Sequence, residues 1–501
     1  MSSKEFDVVI IGSGLGGLMS GALLSENGQR VCVLEKHHQI GGNLQTFRRG
    51  GVTFNSAMHY VGSMEKGEIL YQVFRYLGIL DQTGLEKLDS DHYETIYMGD
   101  RVYSHASGME GHRKRLLSYF PDESEAIDAY LKKIEEVWNS TKVLNLQDFR
   151  NLYDAETQYT QMSAHDFIDG LTDNEELKAL WGVNSALYAG VPDKSPLITH
   201  AIISYHYLQS AYKFSKGTDL LAAALEKVIT RNGGAVQRNK EVVNFLFREK
   251  EAIAVECRDG SRVDGKSFIS NIHPARLVKL VEPGRFRKAY VKRVEALENT
   301  IGSFSVYISL KPGRFKNINS NVYISSSNKV WNAGMYDSIT WPGACIMYTT
   351  PGKEDPEYAE SMTVSAFMKY EEVEAWEATT VERRGADYKA FKALKEEALL
   401  DLVETKFKGI RDLIEETYTA TPLTFRDYTG IPDGSIYGIL KDFNNPRKSY
   451  ISPNTKVPNL FMAGQNAGVG LHGVLGVTVS ALFICANFFD IGKLLKQIKN
   501  G

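Results

Sequence analysis

Phe6-Asp-Val-Val-Ile-Ile-Gly12-Ser-Gly14-Leu15-Gly16-Gly17 begins the stretch, closing at Val61-Gly62, that decides the fold. The apolar run Val8 to Ile11 predicts a strand, and the glycines after it predict a tight turn. The run to Asn27 predicts a helix, and Val31 to Leu34 a second strand that ends at Glu35. Gly41-Gly42 and the strand-like Val52-Thr53-Phe54 then lead into His59-Tyr60. Strand, glycine turn, helix and strand together predict a βαβ nucleotide-binding unit. Gly12 permits the turn, Gly14 lets backbone approach a pyrophosphate, and Gly17 lets helix and strand pack closely. N–H groups from Gly14 to Gly17 are expected to face the phosphates, aided by the positive end of the helix dipole. Glu35 stands where a carboxylate accepts from ribose hydroxyls. A glycine turn alone is common, and its bland reading is a structural turn in a Rossmann-like sheet. The flanking strands and Glu35 favour a dinucleotide.

The 501 residues suffice for two or three domains. With 43% apolar and 24% charged residues the composition is that of a globular protein. The formal charge of -3 and the lack of a Lys/Arg-rich run argue against a nucleic-acid partner. Cys32, Cys257, Cys345 and Cys485 are far apart and form no CxxC pair, so neither a metal site nor a disulfide framework is expected. The nucleotide-binding strand begins at Phe6, leaving no room for a secretory signal. Val474 to Phe489 is too short and too polar in places to span a bilayer. The expectation is a cytoplasmic protein, with peripheral membrane contact left open.

Helical spacing follows over Ile69 to Leu80, Glu123 to Val143, Leu177 to Ala189 and Leu197 to Tyr212. Glu94 to Met98 and Arg101 to Ser104 flank Gly99-Asp100 as a hairpin. His200, Tyr205, His206, Tyr207 and Tyr212 are more often core packing than ligand contacts, although a large apolar pocket could use them. Leu220 to Arg231 is expected to be helical. Val242 to Phe247, Ala252 to Cys257 and Ser267 to Ile269 are expected to be strands that rejoin the first sheet, with Val242-Val243 beside an adenine. Phe304 to Leu310, Val322 to Ser325, Ala344 to Tyr348 and Ser361 to Met368 read as an antiparallel sheet. A long charged helix is expected from Asp387 to Lys408, continuing through Ile410 to Tyr418. Its mixed charges suit a solvated face and are assigned no chemistry.

The closing segment, from Asn459 to Ala463, runs as a strand into Gly464-Gln465-Asn466. After Gly468, Gly470, Gly473 and Gly476 a helix is expected to begin near Val477. That glycine-rich helix start is a second anion-favouring element, suited to the electron-rich edge of a reduced flavin. A ligand held by both ends of the chain fits FAD better than NAD.

The run Gly12 to Gly42, with Leu34-Glu35-Lys36 and Gly41-Gly42-Asn43, resembles the FAD-binding start of flavoproteins of the phytoene desaturase and amine oxidase type. Phe54 to Gly62, Ser204-Tyr205-His206-Tyr207 and Leu471 to Val477 resemble more narrowly the carotenoid isomerases and bacterial retinol saturase-like oxidoreductases. The resemblance covers nearly the whole chain. It implies an α/β fold with a Rossmann-like FAD-binding domain of glutathione-reductase type, built from residues 1–65, 213–275 and 455–501. An α+β substrate domain with the antiparallel sheet takes residues 66–212 and 276–454. It also implies FAD phosphate contacts at Gly14 to Gly17, ribose contact at Glu35 and flavin-side contacts at Gly42 and Asn43. Adenine contact is implied near Val243, and closing contacts at Gly464, Gly476 and Val477. The chain departs from many relatives at Gln465, where they carry aspartate, and at Ser215-Lys216-Gly217-Thr218, where they carry a Pro-x-Gly-Gly turn.

The expected reaction is reduction of a carbon–carbon double bond in an apolar polyene or isoprenoid, in which the cofactor carries hydride and the protein positions a proton donor. His59 and Tyr60 are the candidate acids, His59 because free histidine titrates near neutrality, and His472 is a third. Packing against the flavin is the bland alternative for these residues. Rival functions are desaturation, flavin-dependent cis/trans isomerisation, amine oxidation, and flavin or lipid binding without turnover. No second GxGxxG occurs, so electrons are expected from a transient NAD(P)H or a separate reductase.

Overall fold

The structure, a computed structural model, describes residues 6–147, 149, 158–332, 334–468 and 471–500. Its first sheet is built around Phe6–Ile11, which pairs in parallel with Val31–Leu34 on one side and Arg262–Ser270 on the other. Ala235–Gln237 and Leu460–Met462 extend the parallel part outwards. Val8, Val9 and Ile10 are completely buried, as expected of β-branched residues in a parallel sheet covered on both faces. The long strand Arg262–Ser270 also pairs antiparallel with Glu251–Cys257, which pairs with Val242–Arg248. Strands from both ends of the chain and from its middle thus share one sheet.

Seven strands form the second sheet, in the order Ile414–Ala420, Gly302–Leu310, Ala359–Met368, Ala344–Pro351, Asn321–Ser325, Glu94–Met98 and Arg101–His105. It is larger than the four-stranded sheet expected from sequence, and it is mixed. Asn321–Ser325 runs parallel to Glu94–Met98, and the other pairs are antiparallel. A small antiparallel sheet of Tyr60–Gly62, Ala211–Phe214 and Leu85–Lys87 links the regions.

Several boundaries differ from the sequence reading. The helix at Ile69 ends at Tyr76, because Gly78 takes a left-handed conformation two residues on. Leu197–Gln209 stops before Tyr212, which is drawn into the linking sheet opposite Val61. Ser124–Ser140 and Glu175–Gly182 are shorter than expected, each followed by a 3-10 turn. The charged helix spans Ala386–Glu404, and Ile414–Ala420 is a strand rather than its continuation. Thr417, Tyr418 and Thr419 favour a pleated surface, and Gly302–Leu310 offers a free edge for them to pair with. Met109–Tyr119 is a helix that the sequence reading did not name. Gly470 lies outside the described residues. The closing helix is Gly473–Cys485, starting four residues before Val477 and buried almost all round. Among the described residues no helix is long and apolar enough to cross a membrane.

Candidate active site

The opening glycine turn sits against the closing one. A Cβ added to Gly16 would lie 2.7 Å from Gly464 Cα, and one added to Gly17 would lie 2.2 Å from the Gly12 carbonyl oxygen. Both distances are impossible for a real side chain, so these positions demand glycine. Asn271, at the end of Arg262–Ser270, donates from Nδ2 to the carbonyls of Gly12 and Gly14 at 3.3 Å each. The Gly464 N–H donates to Ser480 Oγ on the closing helix at 3.0 Å. Glu35 is nearly buried and accepts from the Ser13 N–H at 2.9 Å, the Ser13 hydroxyl at 2.6 Å and the His37 N–H at 2.9 Å. A carboxylate has about four acceptor directions, so one remains for a ligand hydroxyl.

These elements enclose a cleft of about 360 Å³, within the range of ligand sites. Gly12, Gly14, Leu15, Gly16, Glu35, Lys36, Gly42, Asn43, Gly464, Gln465 and Val477, all expected cofactor contacts, line it together. Three expected contacts fall elsewhere. The N–H of Gly17 is used inside the turn, donating to the Gly14 carbonyl at 2.9 Å. Gly476 packs against Leu471, whose carbonyl would be 2.2 Å from an added Cβ, and does not line the cleft. Val243 is 37% exposed and lies on an outer surface with Glu256 and Arg258, while its neighbour Val242 lines the cleft. Side chains alternate along a strand, which is why the neighbour, not Val243, faces inward.

Lys36 and Arg276 also line the cleft, and among the described residues neither forms an ion pair. Burial, with Arg276 nearby, holds the Lys36 ammonium below its usual range, and burial lowers Arg276 as well. Glu35, Glu241 and Asp427 oppose that lowering from a distance, without a direct ion pair, and a dinucleotide diphosphate in the cleft would pair with both cations directly. Close-packed glycines, one free acceptor direction on Glu35 and two cations without a direct ion-pair partner together fit FAD. Arg276 and Asn271 were missed from sequence because they stand on or beyond a strand end far from the glycine motif.

The segment after Asn55 separates two spaces. Met58 lines the cleft, whereas Ser56, Ala57 and His59 line a second cavity of about 110 Å³. Its remaining wall is largely apolar and aromatic and includes Ile96, Ile324, Tyr323, Tyr348, Phe425 and Tyr437. That volume is below the roughly 300 Å³ of a pocket enclosing a whole ligand, so the cavity suits a segment of an extended chain.

His59 stacks on Tyr348, with centroids 3.9 Å apart and planes within 8°. The part of its surface left open faces internal cavities. This enclosure pushes its pKa down to about 3, so the imidazole is neutral at pH 7. The sequence argument that His59 titrates near neutrality does not survive its burial. Tyr60 is buried behind the cavity wall, with its ring stacked on Tyr207 at 4.4 Å. Its hydroxyl donates to Glu94 Oε1 at 2.9 Å and lies 2.8 Å from the Tyr323 hydroxyl. His472 caps the closing helix and is buried 5.6 Å from the Tyr437 ring, but it lines neither the cleft nor the cavity. Burial holds it neutral as well, its pKa down to about 3.

The histidines of the aromatic helix serve packing. His206 accepts from the Gly62 N–H at 3.1 Å and bonds the Ser63 hydroxyl at 2.7 Å, while His200 bonds the hydroxyls of Tyr130 and Tyr188. Tyr323, Tyr348 and Glu94 went unrecognised from sequence. One signal was present for Glu94, a carboxylate in phase with the inward-facing Ile96 and Met98 of its strand.

Known proteins resemble this chain along nearly its whole length. The chain is 26% identical to all-trans-retinol 13,14-reductase of Danio rerio, over 99% of this chain and 89% of that protein. It is 24% identical to a chloroplastic prolycopene isomerase of an Oncidium hybrid cultivar, over 97% and 84%. An oxidoreductase structure from Methanosarcina mazei superposes with a TM-score of 0.64 at 18% identity, covering 96% of this chain and all of that one. The model of the family described as flavin containing amine oxidoreductase matches residues 15–482. With that match running from the first glycine turn to the closing helix, the chain belongs to the flavin containing amine oxidoreductases and is an FAD-dependent oxidoreductase.

Proposed function

We propose that this enzyme reduces a carbon–carbon double bond of an apolar polyene or isoprenoid, as all-trans-retinol 13,14-reductase does by name. The observation that carries the reading is the adjacency of two spaces at Ala57 to His59, where Met58 lines the cation-lined cleft and its neighbours line an apolar, aromatic cavity. The bound flavin supplies hydride transfer. Gly12, Gly14 and Gly16 receive its diphosphate beside Lys36 and Arg276, and Glu35 its ribose. Gly42, Asn43, Gly464, Gln465 and Val477 hold the flavin side. Ile96, Ile324 and Phe425 exclude water from the chain segment lying in the cavity, while His59 and Tyr348 form one stacked wall beside it.

The cofactor domain takes residues 1–65, 213–275 and 455–501, and the substrate domain residues 66–212 and 276–454. The parallel sheet with its antiparallel extension supports a glutathione-reductase type of FAD domain. Electrons come from NAD(P)H in passing or from a separate reductase, and an apolar substrate would be drawn from a membrane surface by peripheral contact. The prolycopene isomerase likeness favours isomerisation without net redox change as a second reading. Anaerobic mixing of pre-reduced enzyme with all-trans-retinol separates the two. Reduction oxidises the flavin stoichiometrically and yields a dihydro product, whereas isomerisation leaves the flavin reduced and the product isomeric. A flavin that stays reduced with all-trans-retinol and with all-trans-lycopene would sink the reductase reading.

A further inference from the structure

Glu94 is a carboxylate with no exposed surface, placed by the sheet opposite His105 in the hairpin and one strand away from Tyr323. Its Oε2 lies 2.7 Å from His105 Nδ1. Its Oε1 accepts from Tyr60 at 2.9 Å and from Tyr323 at 3.3 Å, and the two tyrosine hydroxyls are 2.8 Å apart. Four polar groups from three stretches of sequence therefore meet in one buried chain. Tyr323 is the member of it that lines the apolar cavity.

The Glu94 carboxyl is fully engaged, Oε2 with His105 and Oε1 with the two tyrosine hydroxyls. Burial first, and then Glu94, keep both tyrosine hydroxyls well above their ordinary range and so protonated. His59, on the same cavity wall as Tyr437 and several serines, is a neutral ring lying flat on Tyr348.

We propose that Tyr323 is the catalytic acid of the double-bond reduction, with Tyr60 and Glu94 as positioning residues that hold its hydroxyl and His105 as the residue that fixes Glu94. This rests on the polyene reading above. One alkene carbon gains hydride, and its neighbour gains the proton of the Tyr323 hydroxyl as that O–H bond breaks. The Tyr323 oxygen left behind stays 2.8 Å from the Tyr60 hydroxyl and takes its proton back from water once the product has left. Atoms and charge balance, since one hydride and one proton are added across one double bond.

The test uses flavin-loaded full-length chain, reduced anaerobically and mixed with all-trans-retinol in H2O and in D2O. The expected result is that Tyr323→Phe keeps its flavin and its affinity for retinol in the oxidised state. It slows flavin reoxidation by roughly 100-fold or more and abolishes the solvent isotope effect seen in the unmodified enzyme. Independently of turnover, protein labelled with [13Cζ]tyrosine is expected to show a Tyr323 resonance, identified by its loss in Tyr323→Phe, that shifts in Glu94→Gln. Should Glu94→Gln lose its flavin, Tyr60→Phe replaces it, because its ring still stacks on Tyr207. Full rate and isotope effect in Tyr323→Phe, or an unmoved resonance, would overturn the assignment of the acid while leaving the polyene reading intact. An unmodified enzyme that no polyene reoxidises would overturn both.

Discussion

His59 shows how burial changes the chemistry that a residue type implies. A free histidine exchanges its proton near neutrality, but this one is enclosed and stacked on Tyr348, and its pKa is pushed down to about 3. Its contribution is a flat ring in the cavity wall, which phenylalanine can supply. His59→Phe is therefore expected to keep full flavin content and to lose no more than about 10-fold in turnover, well short of the loss of a general acid. The pH profile is expected to show no inflection near 6.5 that disappears in the variant. Steady-state rates from pH 5 to 8 with flavin absorbance per chain check both points, and a 100-fold loss would restore His59 as the acid.

At the scale of elements, the decisive contact is between two glycine turns. The helix Leu15–Glu26 and the closing helix Gly473–Cys485 start beside one another, and Gly16 touches Gly464 where no side chain fits. Gly16→Ala puts a methyl group 2.7 Å from backbone that cannot move without shifting the closing turn. The variant is expected to fold but to purify with less than about a tenth of the flavin, since the cleft must widen by more than close packing tolerates. Absorbance of the bound flavin against protein concentration measures this, and a fully loaded Gly16→Ala would show that the turns are not jointly required. Strand register acts at this scale too, setting Glu94 opposite His105 and one strand away from Tyr323, while Tyr60 reaches it from the linking sheet.

The molecule as a whole buries several histidines uncharged. His200, His206 and His472 are each pushed down to about 3 by burial, against about 6.5 in an unfolded chain. Their folded pKa lies below the unfolded one, so the unfolded state takes up protons first as pH falls. Stability is complete above about pH 6.5 and is lost progressively toward pH 3, by about 2 kcal/mol per such histidine at pH 5. Calorimetry of the flavin-loaded protein is expected to show a melting temperature several degrees lower at pH 5 than at pH 7.5. A flat profile would mean that these rings can acquire a proton inside the fold.

The nucleotide-binding unit was legible because its signals are local. A strand, a turn only glycine can make, a helix and an acid at the second strand end all lie between Phe6 and Glu35, and backbone sterics leave few other readings. The pairing of that motif with Gly464 was legible for the same reason. What needed the tertiary structure was side-chain direction and company. Val242 rather than Val243 faces the cleft because of strand phase, and Ile414–Ala420 became a strand because a long buried strand offered it an edge. Tyr60, the Glu94–His105 hairpin pair and Tyr323 come from three separate stretches of sequence, and no spacing rule connects the three. Backbone preference is set residue by residue and can be read from the chain. Desolvation and hydrogen-bond partnership depend on neighbours distant in sequence, so only the folded arrangement decided which polar groups meet behind the cavity wall.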